Sequence, residues 1–189
     1  MPARLDEARA VAELIATSFE PLPPSTWLVP DASRRRDVLA GDFHILVEHA
    51  LTWGLVQVTE DRSAVAVWFP NVGDSAPEPP DYVARLAAAA GPWAERFHTL
   101  DELFAANQPV EAHHHLAFLA VAPDRQGRGI GSELLRCHHA RLDEQGIPAY
   151  LEASCERNRD FYSRHGYQAR EPFRLPNGTP FWPMWRAPR

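Results

Sequence analysis

Apolar residues at Leu5, Val11, Leu14, Ile15 and Phe19 fall on one face of a helical period and predict a helix over residues 4–19. Pro21, Pro23 and Pro24 end it. A second stripe of Val38, Leu39, Ile45 and Leu46 predicts a helix running toward His49, capped by Asp31 or Ser33, with Gly41 as a candidate break. Beyond it, residues 52–59 and 64–69 read as two strands joined by a turn at Glu60, Asp61 and Arg62. The run 71–80, rich in Pro and Gly, is a loop. The Ala-rich segment 81–106 is helical, interrupted at Gly91 and Pro92.

The pattern changes in the second half. Residues 116–122 are continuously apolar, short and bounded by Pro123, which predicts a buried strand. A helix follows over 129–145, with Gly146 as its stop. Residues 148–153 form the next strand, and 158–165 a short helix ended by Gly166. The segments 167–173 and 181–186 close the chain as an antiparallel pair around Pro176, Asn177 and Gly178. Strand, helix and strand make a β-α-β unit, so 116–122 and 148–153 should run parallel. The class is therefore α/β (α+β), a sheet of mixed direction rather than a doubly wound one. A single domain over 1–189 accounts for the length.

Charge and composition narrow the functions. A net charge of −6 argues against nucleic acid as partner and favours a cationic small molecule. All 19 basic residues are arginine, which removes Schiff-base and lysine-nucleophile chemistry. No apolar run reaches the roughly 18 residues of a membrane span. Asp6, Glu7 and Glu13 in the first turns do not suit a signal peptide. Two cysteines, Cys137 and Cys155, are too few for a disulfide framework, and a cytoplasmic location is the expectation.

The stretch that organises the chain is Val121-Ala122-Pro123-Asp124-Arg125-Gln126-Gly127-Arg128-Gly129-Ile130-Gly131-Ser132. Glycines let the backbone turn sharply and approach a ligand closely. The loop and first-turn N–H groups of the following helix lack internal partners and sit at the positive end of its dipole. Strand, glycine turn and helix start together make an anion site suited to a diphosphate. A Walker loop is excluded, since Ser132 stands where lysine is required. The dinucleotide pattern G-x-G-x-x-G fails by one residue. What remains, Q-x-x-G-x-G from Gln126 to Gly131, resembles motif A of the GCN5-related N-acetyltransferases (GNAT). Asn158-Arg159-Asp160-Phe161-Tyr162-Ser163-Arg164-His165-Gly166-Tyr167 resembles that family's motif B, at the right distance and in the right order. A nearer likeness, from about residue 60 onward, is to the puromycin N-acetyltransferase-like members.

The resemblance implies a mostly antiparallel central sheet with a parallel, splayed strand pair and flanking helices, its coenzyme-binding core at about 112–175. It implies acetyl-coenzyme A as co-substrate, with no metal. The usual first strand of the family is missing, which leaves the sheet edge bare or covered by another chain. The pyrophosphate would be held by the backbone of Gln126, Gly127, Arg128, Gly129, Ile130, Gly131 and Ser132, with Arg125 and Arg128 near the phosphates. Main-chain N–H groups at Leu119, Ala120 and Val121, freed by a β-bulge there, would polarise the thioester carbonyl. Tyr162 would be the general acid for the leaving thiolate, a phenol of pKa about 10 being neutral at pH 7. Glu152 lies mid-strand among residues expected to be buried, and an isolated buried carboxylate needs a partner or a function; the resemblance makes it the base, and an arginine partner is the alternative. Asn158 would bond to the pantetheine or to backbone, or cap the short helix.

His113, His114 and His115 alternate across a strand, so only some could converge, and one of His114 or His115 would line the acceptor pocket. No His/Asn set marks Cys155 as a nucleophile, so direct attack in a ternary complex is expected. Trp27, Trp53, Trp68, Trp93, Phe97 and Phe104 should be mostly core, some of them walling an aromatic acceptor cleft. The implied function is acetyl transfer to a primary amine of a small molecule, antibiotic-like acceptors included, by a monomer or homodimer. A protein or peptide amine, a hydroxyl, and a non-catalytic acyl-coenzyme A module are the alternatives.

Overall fold

The helical stripe at the start of the chain forms as its spacing predicts. In the computed structural model, which describes residues 1–73 and 76–189, a 3₁₀ turn at Leu5–Glu7 leads into α1 (Ala8–Phe19), burying Val11, Ala12, Ile15 and Ala16. The prolines do more than end it. Pro23 and Pro24 open a further short helix, α2 (Pro23–Leu28), because a missing N–H costs nothing in a first turn. Asp31 caps α3 (Ala32–Trp53), its Oδ1 accepting from Ser33 N at 2.9 Å. Gly41 does not break this helix. A Cβ there would stand 2.7 Å from Ala89 Cβ, so the glycine lets α4 (Tyr82–Ala90) cross closely.

Thr52 and Trp53, expected in a strand, finish α3 instead. The chain turns at Gly54, where a Cβ would strike the Trp68 carbonyl oxygen, and β1 (Leu55–Val58) follows. β2 is Ala64–Asn71. The loop expected over 71–80 falls partly on residues 74 and 75, outside the described residues. After a 3₁₀ turn at Gly91–Trp93, α5 (Ala94–Asn107) completes the interrupted helical segment. β3 (His113–Val121) starts three residues before the expected 116, because His113, His114 and His115 extend the ladder with β2. Then come α6 (Ile130–Gln145), β4 (Ala149–Ala153), α7 (Glu156–Ser163), β5 (Gln168–Ala169), β6 (Phe173–Arg174) and β7 (Pro180–Arg186). The expected strand 167–173 is broken at Glu171-Pro172, where proline has no N–H to give a ladder; Arg170 N still donates to Pro183 O at 2.8 Å.

The sheet order is β1-β2-β3-β4-β7-β5, with β6 also on β7. Every pairing is antiparallel except β3 with β4, which matches only at His114↔Ala149 and His115↔Tyr150 before the two strands part. Helices α1, α3, α4 and α5 cover one face, and α6 covers the other. The outer edge is not bare. Met1 N and Ala3 N donate to Val58 O and Val56 O at 2.9 and 2.8 Å, and Pro2 bridges Gln57 antiparallel. The first three residues thus cover that edge.

Two histidines of α6 are core residues. His138 stacks on the buried Trp68 at 4.2 Å, and burial pushes its pKa down to about 3. His139 hydrogen-bonds the Tyr167 hydroxyl at 3.0 Å, and burial, then Arg186, lowers it to about 4. Both stay neutral in the fold but take up a proton near pH 6.5 when the chain unfolds. Each contributes stability that is complete above pH 6.5 and is lost as pH falls toward 4, at about 1.4 kcal/mol per pH unit. Asp42, raised to about 8 by burial, acts in the opposite sense over that window. Burial also raises Asp101, but it lowers His49, His113, His114 and His165 as well, so the histidines outnumber the carboxyls and the melting temperature should drop from pH 7 to pH 5. His138→Phe should flatten that slope in thermal unfolding; an unchanged slope would remove His138 from the account.

Candidate active site

The glycine loop closes β3 and opens α6. A 3₁₀ turn at Pro123–Arg125 follows Val121, and Gly127 and Gly129 take φ of 75° and 80°. A Cβ at either would meet nothing within 4 Å, so backbone sign rather than space requires glycine. Gly129 caps α6 without any side-chain cap, and the first helical bond is Glu133 N to Gly129 O at 3.0 Å. The N–H groups of Ile130, Gly131 and Ser132 therefore have no helical partner, at the positive end of a 16-residue helix. Residues 123–129 are exposed. The loop thus fits a pair of linked phosphates. Its side chains turn back on the loop: Gln126 Nε2 donates to Val121 O at 3.1 Å, Arg128 Nη2 to Asp124 O at 3.2 Å, and Arg125 lies 3.6 Å from Asp124. Ser132 Oγ bonds His165 Nε2 at 2.9 Å, leaving its amide for the loop.

The register of β3 slips by one residue at Ala117, between Val67↔Phe118 and Trp68↔Leu116. The bulge thus precedes the expected 119–121. Ala122 N donates to Ser63 O at 2.8 Å, on the β2 side, so strand alternation also turns the Ala120 amide toward β2. Leu119 and Val121 face the other way, into the gap where β4 has diverged. Of the three expected donors, Ala120 is spent on the ladder. The Val121 carbonyl is held by Ser18 Oγ at 3.0 Å as well as by Gln126.

Below that gap lies a cavity of about 280 Å³, walled mainly by apolar side chains, which brings together Glu152, His115, Asn158 and Tyr162. The Glu152 side chain is only 6% exposed, and its Oε2 is 2.8 Å from His115 Nε2. Its partner is a histidine, not an arginine. His115 is the one of the two histidines that lines the cavity; His114 points to the other face and bonds His138 at 3.1 Å. Tyr162 is half-buried, packed edge-on against Phe161 and Tyr167, and burial, with Cys155 close by, pushes its phenol up. The hydroxyl thus stays protonated at neutral pH. Asn158 does not cap α7, which begins at Glu156 after Cys155; its Nδ2 donates to Ser154 Oγ at 3.1 Å.

Residues 94–169, which hold the glycine loop, the splayed strands and the Glu152–His115 pair, match the model of the acetyltransferase (GNAT) domain. Solved structures agree in fold. A histone acetyltransferase HPA2 and related acetyltransferase from Corynebacterium glutamicum is similar at a TM-score of 0.70 and 23% identity, over 100% of this chain and 95% of that one. A polyamine N-acetyltransferase of Drosophila melanogaster gives 0.61 and 17%, over 98% and 97%. An arylalkylamine N-acetyltransferase from Aedes aegypti gives 0.61 and 13%, over 100% and 98%. Acetyl-coenzyme A is the co-substrate of this family.

The helical wall of the cavity holds residues that sequence reasoning missed. Asp42 on α3 and Asp101 on α5 both line it. Burial, then the Asp101 charge, raises the Asp42 carboxyl to about 8. Burial also raises Asp101, whose Oδ2 accepts from the Tyr82 hydroxyl at 2.8 Å. A signal existed: Asp42 falls on the Val38, Leu39, Ile45 stripe, a charge on a core face. The aromatic wall is phenylalanine rather than tryptophan. Phe97 and Phe104 line the cavity, whereas Trp53 is 50% exposed and Trp68 lies on the opposite sheet face. Among the described residues no three His, Cys, Asp or Glu side chains converge as metal ligands, and no helix is long and apolar enough to cross a membrane.

Proposed function

We propose that the protein moves the acetyl group of acetyl-coenzyme A to the primary amine of a small molecule, by direct attack within a ternary complex. The observation that carries the reading is the Glu152–His115 pair, nearly closed off from solvent, in the same walled cavity as Tyr162. Coenzyme A supplies an activated acyl thioester; the amides of Ile130, Gly131 and Ser132 would hold its phosphates. The N–H groups of Leu119 and Val121 face the gap where a thioester carbonyl would be polarised. Glu152 accepts the proton of the attacking amine, and the His115 ring keeps the carboxylate aimed into the cavity. Tyr162 gives its phenolic proton to the departing sulfur, so one proton enters at Glu152 and one leaves at Tyr162. A cavity walled by helices supports a small acceptor over a peptide, which would call for an open groove. The relatives named for polyamines and arylalkylamines support an amine as the acceptor class.

The test has two parts. Calorimetric titration with acetyl-coenzyme A should give heat of binding. A thiol-release assay across small amines, puromycin-like antibiotics and lysine peptides should respond to small amines first. No heat with folded protein would sink the coenzyme site; release with peptides alone would sink the small-molecule reading.

A further inference from the structure

Acetyl transfer as described uses the sheet side of the cavity and leaves the carboxylates of its helical wall without a task. Asp42 is 5% exposed, lines the cavity, and its Oδ1 has no hydrogen-bond partner. The basic side chains near its helix go elsewhere: His44 lies 3.5 Å from Glu48, and Arg85 also pairs with Glu48. Asp101 shares the wall, with one oxygen held by Tyr82. A buried carboxyl without a partner costs stability, and nothing in the packing of α3 repays it. Two acidic groups side by side increase the cost. Burial holds the Asp42 carboxyl protonated at neutral pH in the free protein, and a small cation beside it would stabilise the carboxylate that the apolar cavity otherwise disfavours.

We infer that Asp42 and Asp101 form a subsite for a second positively charged nitrogen on the acceptor, so that the preferred substrate is a diamine or an amine bearing a guanidinium. The inference rests on the acetyl-transfer reading for the role of the first nitrogen, which sits at Glu152. The cavity that holds both ends is also lined by Phe19, Phe43 and Phe97, apolar surface suited to a methylene chain. The overall charge of −6 also favours a dicationic ligand over a neutral one.

The experiment compares linear α,ω-diamines with monoamines of equal chain length, in two readouts. One is thiol release with acetyl-coenzyme A; the other is calorimetric binding of the amines to protein saturated with coenzyme A. Diamines should be favoured at least tenfold in kcat/KM and in affinity. Asp42→Asn should bring both ratios close to one, and Asp101→Asn should do the same, which keeps the test alive if either variant folds poorly. Asp42→Asn should melt no lower than the parent, since the fold gains nothing from the charge. Equal handling of diamines and monoamines, or ratios that survive both substitutions, would overturn the subsite. The binding readout separates this from the transfer reading: diamine affinity lost in Asp42→Asn without thiol release from any amine would retain the subsite and reject the transferase.

Discussion

Replacing Glu152 with Gln should lower kcat/KM toward small amines by about 10²–10⁴-fold at pH 7, the usual worth of a positioned proton acceptor. The substitution keeps the size of the side chain and a hydrogen-bonding oxygen for His115 at the 2.8 Å contact, so cavity shape is preserved and the base is removed. An aliphatic amine is almost wholly protonated at pH 7 and must lose that proton before attack. On the proposed reading Glu152 takes that proton in the parent, and the variant depends on the fraction of amine already neutral in solution. Its rate should therefore climb steeply from pH 7 to pH 9, roughly in step with that fraction, while the parent changes less. The measurement is a pair of pH–rate profiles at saturating coenzyme. A variant as fast as the parent at pH 7 would take the base role away from Glu152.

Tyr162→Phe should cut kcat by about 10²–10³-fold and leave coenzyme affinity within a few-fold of the parent. Its ring packs on Phe161 and Tyr167, and phenylalanine keeps those contacts, so stability should hold. The hydroxyl alone is lost, and with it a proton held by burial well beyond neutral pH. The leaving thiolate then has to depart unprotonated or take its proton from water. Single-turnover kinetics beside calorimetric titration would separate the two effects. Equal turnover would reassign the acid; a large loss of coenzyme binding would make Tyr162 a binding residue instead.

The parts of the fold governed by local periodicity were legible in the sequence. The stripe that became α1, the β-α-β unit with its parallel pair, and the glycine turn before α6 all formed where the residues called for them. Boundaries failed where tertiary contact decides. Gly41 reads as a helix breaker until Ala89 is seen against it, and Thr52 and Trp53 look like strand until Gly54 turns under Trp68. Within the site, Glu152 was legible because a charge in an apolar strand has few innocent explanations; the histidine lining the pocket was narrowed to two, but its pairing with Glu152 was not foreseen, an arginine being the expected partner. The bulge at Ala117 was not, since register depends on two strands at once. Asp42 obeyed the same logic as Glu152 but lay in a helix whose other charges mask it.

Met1 holds the one primary amine in this sequence, since no lysine occurs, and that amine donates to the Val58 carbonyl at 2.9 Å on the sheet edge. On the acetyl-transfer reading, a chain without ε-amino groups offers its own chemistry almost no target. Self-modification, which clouds isotope-transfer and mass-spectrometric assays of acyl donors, should be confined to one peptide, so nearly all amide-linked label will report the acceptor. The same property restricts succinimidyl-ester coupling to the amino terminus, where attachment severs an edge hydrogen bond; thiol chemistry at exposed Cys137 is the gentler route to immobilisation.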